Sequence, residues 1–173
     1  MKENLSGLVL FFLLFIYTNS KAQELYQNEE AKFNITLPGE YLSEKEINQE
    51  GITTITVTCD YGGMTIVVTS YIYLEAVSED NNMVAELTEM MIVASALGSK
   101  FKPKGVALWA VGQDSGWTNK LKTSGDYKGY IGSHYVIVSG LHYYSILILG
   151  HKKTYDPGIE TNLVNSFNMI KQK

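Results

Sequence analysis

Tyr130–Gly150, YIGSHYVIVSGLHYYSILILG, is the stretch whose reading decides the fold. β-Branched and aromatic residues fill two arms, and Ser139-Gly140-Leu141-His142 between them carries a turn signal. A two-residue turn at Gly140-Leu141 sets His134 opposite Leu147 and His142 opposite Ser139. Val136 and Val138 share one face of the first arm, Tyr135 and Ile137 the other. In the second arm Tyr144, Ile146 and Ile148 alternate with Tyr143, Leu147 and Leu149. Strands apolar on both faces belong at the centre of a sheet covered on both sides.

Working outward, Phe33, Ile35 and Leu37 alternate with polar residues as a half-buried strand that Pro38-Gly39 stops. Residues 23–30 read as a polar lead-in and Glu40–Glu50 as a charged connection. Ile55, Val57 and Cys59 oppose Thr54, Thr56 and Thr58. The Asp60-Tyr61-Gly62-Gly63 turn then returns the chain through a strand with Met64, Ile66, Val68, Ile72 and Leu74 on the core side. Val84, Leu87, Met91, Ala94 and Leu97 recur at helical spacing, predicting a helix over 80–97 whose methionine-rich stripe packs into the core. Lys100, Lys102 and Lys104 alternate through a short solvated loop. A strand over Gly105–Gly112, a turn at Gln113–Gly116 and a more polar, edge-like strand over Trp117–Thr123 lead into the hairpin. Asp156-Pro157 is an N-cap followed by proline at the first helical position. It opens a last helix with Ile159, Leu163, Phe167 and Ile170 on one face. The order is βββαββββα, which predicts an α+β single-domain sandwich: a largely antiparallel sheet of about seven strands with two main helices.

The first residues read as something other than fold. Leu8–Ile16 is a continuous apolar run after Lys2, and Ser20-Lys21-Ala22 ends in small residues. This predicts a secretory signal peptide over 1–22, cleaved before Gln23, because the run is too short to span roughly 30 Å of hydrocarbon. The expected mature domain, 23–173, is periplasmic or secreted and has no membrane span.

The leader holds two of the fourteen basic residues and one of the eighteen acidic ones, leaving a mature net charge of about −5. That sign opposes non-specific binding of nucleic acid. Every basic residue is lysine, so bidentate guanidinium sites for phosphate or carboxylate are excluded. Cys59 is the sole cysteine, which rules out an intramolecular disulfide and a thiolate metal cluster. Its parity with Ile55 and Val57 makes it a small buried hydrophobe.

Chemistry-bearing motifs are absent. His134, His142 and His151 fall too far apart along the hairpin to share a metal, and no nucleophile elbow or phosphate-cradling loop occurs. Neither a catalytic residue nor a cofactor is nominated. Tyrosine is the unusual quantity, at twelve residues. Strand propensity accounts for much of it, yet tyrosine is also an amphipathic contact residue. The candidate partner or ligand contacts are therefore Tyr71, Tyr73, Tyr130, Tyr143 and Trp117.

Phe33-Asn-Ile-Thr-Leu-Pro-Gly39 followed by Tyr41, together with Tyr143–Leu149 and the later Ser166-Phe167, resembles the PsbP-like fold. That α/β/α sandwich occurs in photosystem extrinsic subunits, Ran-binding nucleotide-release factors and small bacterial envelope proteins. The resemblance implies a non-enzymatic role in docking or assembly, and it transfers no catalytic or ligand residue. The expected function is an exported binding or assembly protein of the bacterial envelope, acting on an envelope protein or small ligand. The alternatives are a carrier of a small apolar or sugar ligand held between helix 80–97 and the sheet, and a hydrolase using dispersed carboxylates.

Overall fold

A computed structural model describes residues 23–75, 101–111, 114–123 and 129–170. The expected leader over 1–22 and the expected helix over 80–97 lie outside the described residues. The described elements are β1 (Glu24–Asn28), β2 (Phe33–Leu37), β3 (Leu42–Ile47), β4 (Thr53–Tyr61), β5 (Met64–Ile72), β6 (Phe101–Val111), β7 (Asp114–Thr123), β8 (Tyr130–Ser139), β9 (His142–His151), α1 (Pro157–Ser166) and β10 (Asn168–Met169).

Seven strands form one antiparallel sheet in the order β3-β4-β5-β9-β8-β7-β6, and three form a small sheet in the order β1-β2-β10. The α+β sandwich is as expected; the distribution of its strands is not. Ten strands are described, seven of them in the large sheet and three in a second, small sheet, together with one helix; the other expected helix lies outside the described residues.

The β8–β9 hairpin holds the expected register, with Ser139 opposite His142 and His134 opposite Leu147. Gly140 makes the turn possible, since its φ of +58° is the left-handed conformation that a side chain disfavours. β9 occupies the middle of the large sheet, and both faces of β8 and β9 are mostly buried. β4 and β5 close through Gly62-Gly63, both with positive φ, as a two-residue hairpin requires.

Several boundaries differ for identifiable reasons. β1 and β3 fall where a polar lead-in and a charged connection are expected, because neither shows an alternating apolar face. β1 turns only Tyr26 fully inward, and all six residues of β3 are exposed. Their strand form comes from pairing with β2 and β4, not from their own pattern. β6 and β7 are both longer than expected. Asp114–Gly116, expected in a turn, belong to β7, Lys102 and Lys104 lie within β6, and among the described strands β6 rather than β7 is the edge. Leu74 is 75 % exposed, not on the core side.

α1 begins as expected, with Asp156 Oδ1 accepting from the Gly158 N–H at 2.7 Å and proline in the first turn. It stops at Ser166, and Asn168–Met169 pairs instead with β2.

The main core lies between the small sheet plus α1 and one face of the large sheet. Phe33, Ile35 and Leu37 of β2 pack with Ile55, Val57, Ile66, Val68, Ile146 and Ile148 of the large sheet and with Leu163 and Phe167. Cys59 belongs to this core at 1 % exposure, its Sγ 3.7 Å from the Gly39 carbonyl.

Two segments distant in sequence meet here. The Phe167 ring stacks on Phe33 at 5.6 Å and meets Tyr144 edge-on at 5.5 Å and Trp109 at 5.6 Å. Beside it the Ser166 hydroxyl accepts from the Thr36 N–H at 2.9 Å and donates to the Leu163 carbonyl at 2.7 Å. One residue thus caps its own helix and stitches it to β2.

Candidate functional site

The second face of the large sheet carries a smaller apolar cluster of Val136, Val138 and Tyr143, with Tyr71 and Tyr73 packed against it. Sheet register explains the grouping. Tyr71 of β5 lies directly opposite Tyr143 of β9, which lies opposite Val138 of β8. Directly opposed side chains share a face within contact distance, and the Tyr71 and Tyr143 rings meet at 5.9 Å and 67°. Just beyond β5, the Tyr73 N–H donates to the Leu141 carbonyl at 2.9 Å, which ties the strand end to the β8–β9 turn.

Within this group the exposures differ sharply. Tyr143 is fully buried and forms the floor, while Tyr71 and Tyr73 are half-buried. Leu74, the next residue in the chain, and Leu141, whose carbonyl takes the Tyr73 N–H, are 75 % and 42 % exposed. Burial raises the Tyr71 hydroxyl pKa above its ordinary value, and the neighbouring Tyr73 adds to it; burial alone raises Tyr73. Both remain neutral donors and acceptors at physiological pH, backed by apolar surface.

Of the five candidate contacts, the structure therefore brings together Tyr71, Tyr73 and Tyr143. Tyr130 lies at the far end of the hairpin, 41 % exposed, with its ring edge-on to His151 at 5.5 Å. Trp117 pairs in register with Leu108 and Val136, within β7.

The sequence reading missed a buried carboxylate. Glu160 of α1 is 5 % exposed; Tyr135 donates to its Oε1 at 2.5 Å and Tyr155 to its Oε2 at 2.8 Å. The Ser133 hydroxyl lies 3.3 Å from that of Tyr155. Burial, reinforced by Glu160, raises both tyrosine pKa values well above the ordinary range. The signal was present in the spacing. Position 160 leads the inward stripe 160-163-164-167, where an acidic residue needs buried donors. The arrangement anchors α1 to β8, because each donor belongs to the sheet or to the segment entering the helix.

Among the described residues, no group of three His, Cys, Asp or Glu side chains is placed to hold a metal ion. His134 is buried, its Nε2 2.8 Å from Ser145 Oγ, and desolvation lowers its pKa to about 4. No helix among the described residues is long and apolar enough to cross a membrane.

A cleft of about 460 Å³ lies between α1 and the ends of β1 and β2, with Gln23, Thr36, Asn162 and Asn165 beside Pro38 and Ile159.

The architecture is the PsbP-like fold. It is similar to the solution structure of cyanobacterial PsbP (CyanoP) from Synechocystis sp. PCC 6803. The TM-score is 0.62 at 8 % identity, over 88 % of this chain and 95 % of that one. A crystal structure of a protein from Bacteroides thetaiotaomicron VPI-5482 is also similar, with a TM-score of 0.51 and 8 % identity. That match spans 88 % of this chain and 50 % of the other. No protein-family model and no curated protein matches the sequence. At this identity the likeness concerns the fold, and residue roles must be argued from this chain.

Proposed function

We propose that this chain is an exported, non-enzymatic binding or assembly protein of the bacterial cell envelope. In this reading residues 1–22 are removed as a leader and the domain that follows acts in the periplasm or outside the cell. The observation that carries the reading is the Tyr71–Tyr73 patch. It is amphipathic and backed by the buried Tyr143, Val136 and Val138. Rigid aromatic side chains on an apolar floor supply contact area with little entropy loss, as protein interfaces use them. Glu160, the buried acidic residue among those described, is held by two tyrosine hydroxyls within a packed core, which suits anchoring better than hydrolysis.

The test is capture of partners from envelope extract by the exported domain. Tyr71→Ala and Tyr73→Ala should each lose a partner that the parent enriches over an unrelated exported domain. Equal capture by parent and variants would reject the patch, whereas no enrichment by the parent would reject the binding role. Tyr143→Ala serves poorly here, since a fully buried ring reports on folding as well.

One observation favours the carrier alternative. The α1 cleft falls within the roughly 300–1,000 Å³ range of small-ligand sites and mixes amide, hydroxyl and apolar groups in a way that suits a sugar. Native mass spectrometry of freshly purified protein would reveal a bound molecule, lost in Asn162→Leu. The expected site beneath helix 80–97 lies outside the described residues.

A further inference from the structure

The two edges of the large sheet are chemically different. At one edge, β3 is exposed throughout and carries Glu44-Lys45-Glu46 at its middle. Charges along an edge oppose pairing with another strand, because a second backbone would desolvate them. At the other edge lies β6, eleven residues long. Lys102-Pro103-Lys104 and the register shift between Pro103 and Val106 interrupt its first half.

Its second half, Ala107–Val111, has no such protection. It carries no charge, and Ala107, Leu108 and Ala110 are exposed, Leu108 at 73 %. Trp109 and Val111 point the other way, into the main core, and hold the segment in strand form. Among the described residues nothing pairs with its outer edge. Unpaired backbone groups beside exposed apolar side chains form a template for strand addition.

We infer that Val106–Ala110, which begins just past the register shift, pairs antiparallel with the same segment of a second copy of this chain, about a two-fold axis at Leu108. The proposal does not depend on the functional reading above. A two-fold axis normal to the sheet keeps like faces together, so it sets Leu108 opposite Leu108 and Ala110 opposite Val106 of the second copy. The exposed leucine of each copy then covers that of the other, and no charge is buried. β3 makes a poor alternative partner, since its Glu44, Lys45 and Glu46 would be desolvated against an apolar edge. Pairing therefore closes at two copies instead of propagating as a filament. Five residues per strand bury less than the roughly 1,200 Å² of a standard interface, so the dimer is weak and reversible, in the micromolar range.

Sedimentation velocity of the purified protein, from about 1 to about 200 µM, tests this. The average mass should rise toward twice that of the chain. Leu108→Lys places like charges face to face at the axis and should weaken association at least about tenfold while keeping the circular dichroism of the parent. A parent that stays monomeric, or a dimer unchanged in Leu108→Lys, overturns the proposal.

Should that variant fail to fold, Leu108→Cys decides. Cys59 is buried, so oxidised glutathione can link copies only through position 108. Cross-linking should exceed that of Leu42→Cys, an equally exposed leucine on the charged edge, at 74 % exposure. Equal cross-linking at the two positions overturns the proposal.

Discussion

Replacing Phe167 by alanine tests the junction on which this fold depends. Phe167 is 2 % exposed, and its ring touches the small sheet through Phe33 and the large sheet through Tyr144 and Trp109. Removing it opens a cavity where helix end, small sheet and large sheet meet. Truncating a buried phenylalanine costs about 3–5 kcal/mol, combining the lost transfer energy with the residual cavity. A domain of this size has roughly 5–15 kcal/mol of stability, and each kcal/mol is worth about 2–4 °C in Tm. The variant should still fold, melting about 6–20 °C lower. Urea unfolding followed by tryptophan emission suits the measurement, because Trp109 lies against the lost ring. The midpoint should fall with an unchanged slope. A cycle with Phe33→Ala should then show a coupling of about 0.5–1.5 kcal/mol for the stacked pair. A loss below about 1 kcal/mol in Phe167→Ala, or strict additivity in the cycle, would refute the claim that these two segments hold each other.

Further outcomes follow from other buried groups. His134 has a depressed pKa, near 4 instead of 6.5, so the unfolded chain takes up its proton first; its contribution is complete above about pH 6.5 and lost as pH falls toward 4. Between pH 7 and about 4.5 that is roughly 2 kcal/mol, and urea titrations of His134→Asn should show a pH dependence smaller by that amount. Glu160→Gln should cost about 1–3 kcal/mol and lower the pH at which Tyr135 and Tyr155 ionise, read by ultraviolet titration; an unmoved titration would mean that Glu160 does not act on them. Gly132→Ala should abolish soluble expression or cut stability severely, because a Cβ there runs into the Ile148 carbonyl oxygen across the β8–β9 ladder. Gly140→Ala, whose Cβ meets nothing, should lose only about 1 kcal/mol through its positive φ.

The hairpin at the centre of the sheet was legible because its residues are apolar on both faces and its turn needs glycine. The β4–β5 hairpin was legible for the same reasons, and the Asp156-Pro157 start of α1 because a cap depends on local chemistry alone. β1 and β3 were not legible: strand propensity is weak, and an edge strand with one or no buried side chain carries no pattern to read. The end of α1 was misplaced because Ile170 keeps helical spacing with Phe167, while pairing of Asn168–Met169 to β2 wins over continuing the helix.

Of the candidate site, the sequence supplied the tyrosines but not their grouping. Tyr71 and Tyr143 are far apart along the chain, and only the β5–β9 register sets one ring against the other and buries the second. Glu160 was overlooked because an acidic residue on a short helix ordinarily faces water.

By itself the sequence determined the alternating strands, the two glycine turns, the helix cap, the charge balance and the buried character of Cys59. Each of these is dictated by residues within a few positions of one another. The tertiary structure alone decided which strands form edges, which tyrosines reach the surface and what satisfies Glu160. Those depend on which distant backbones lie side by side, a pairing energy spread over many contacts and encoded in no single stretch of the chain.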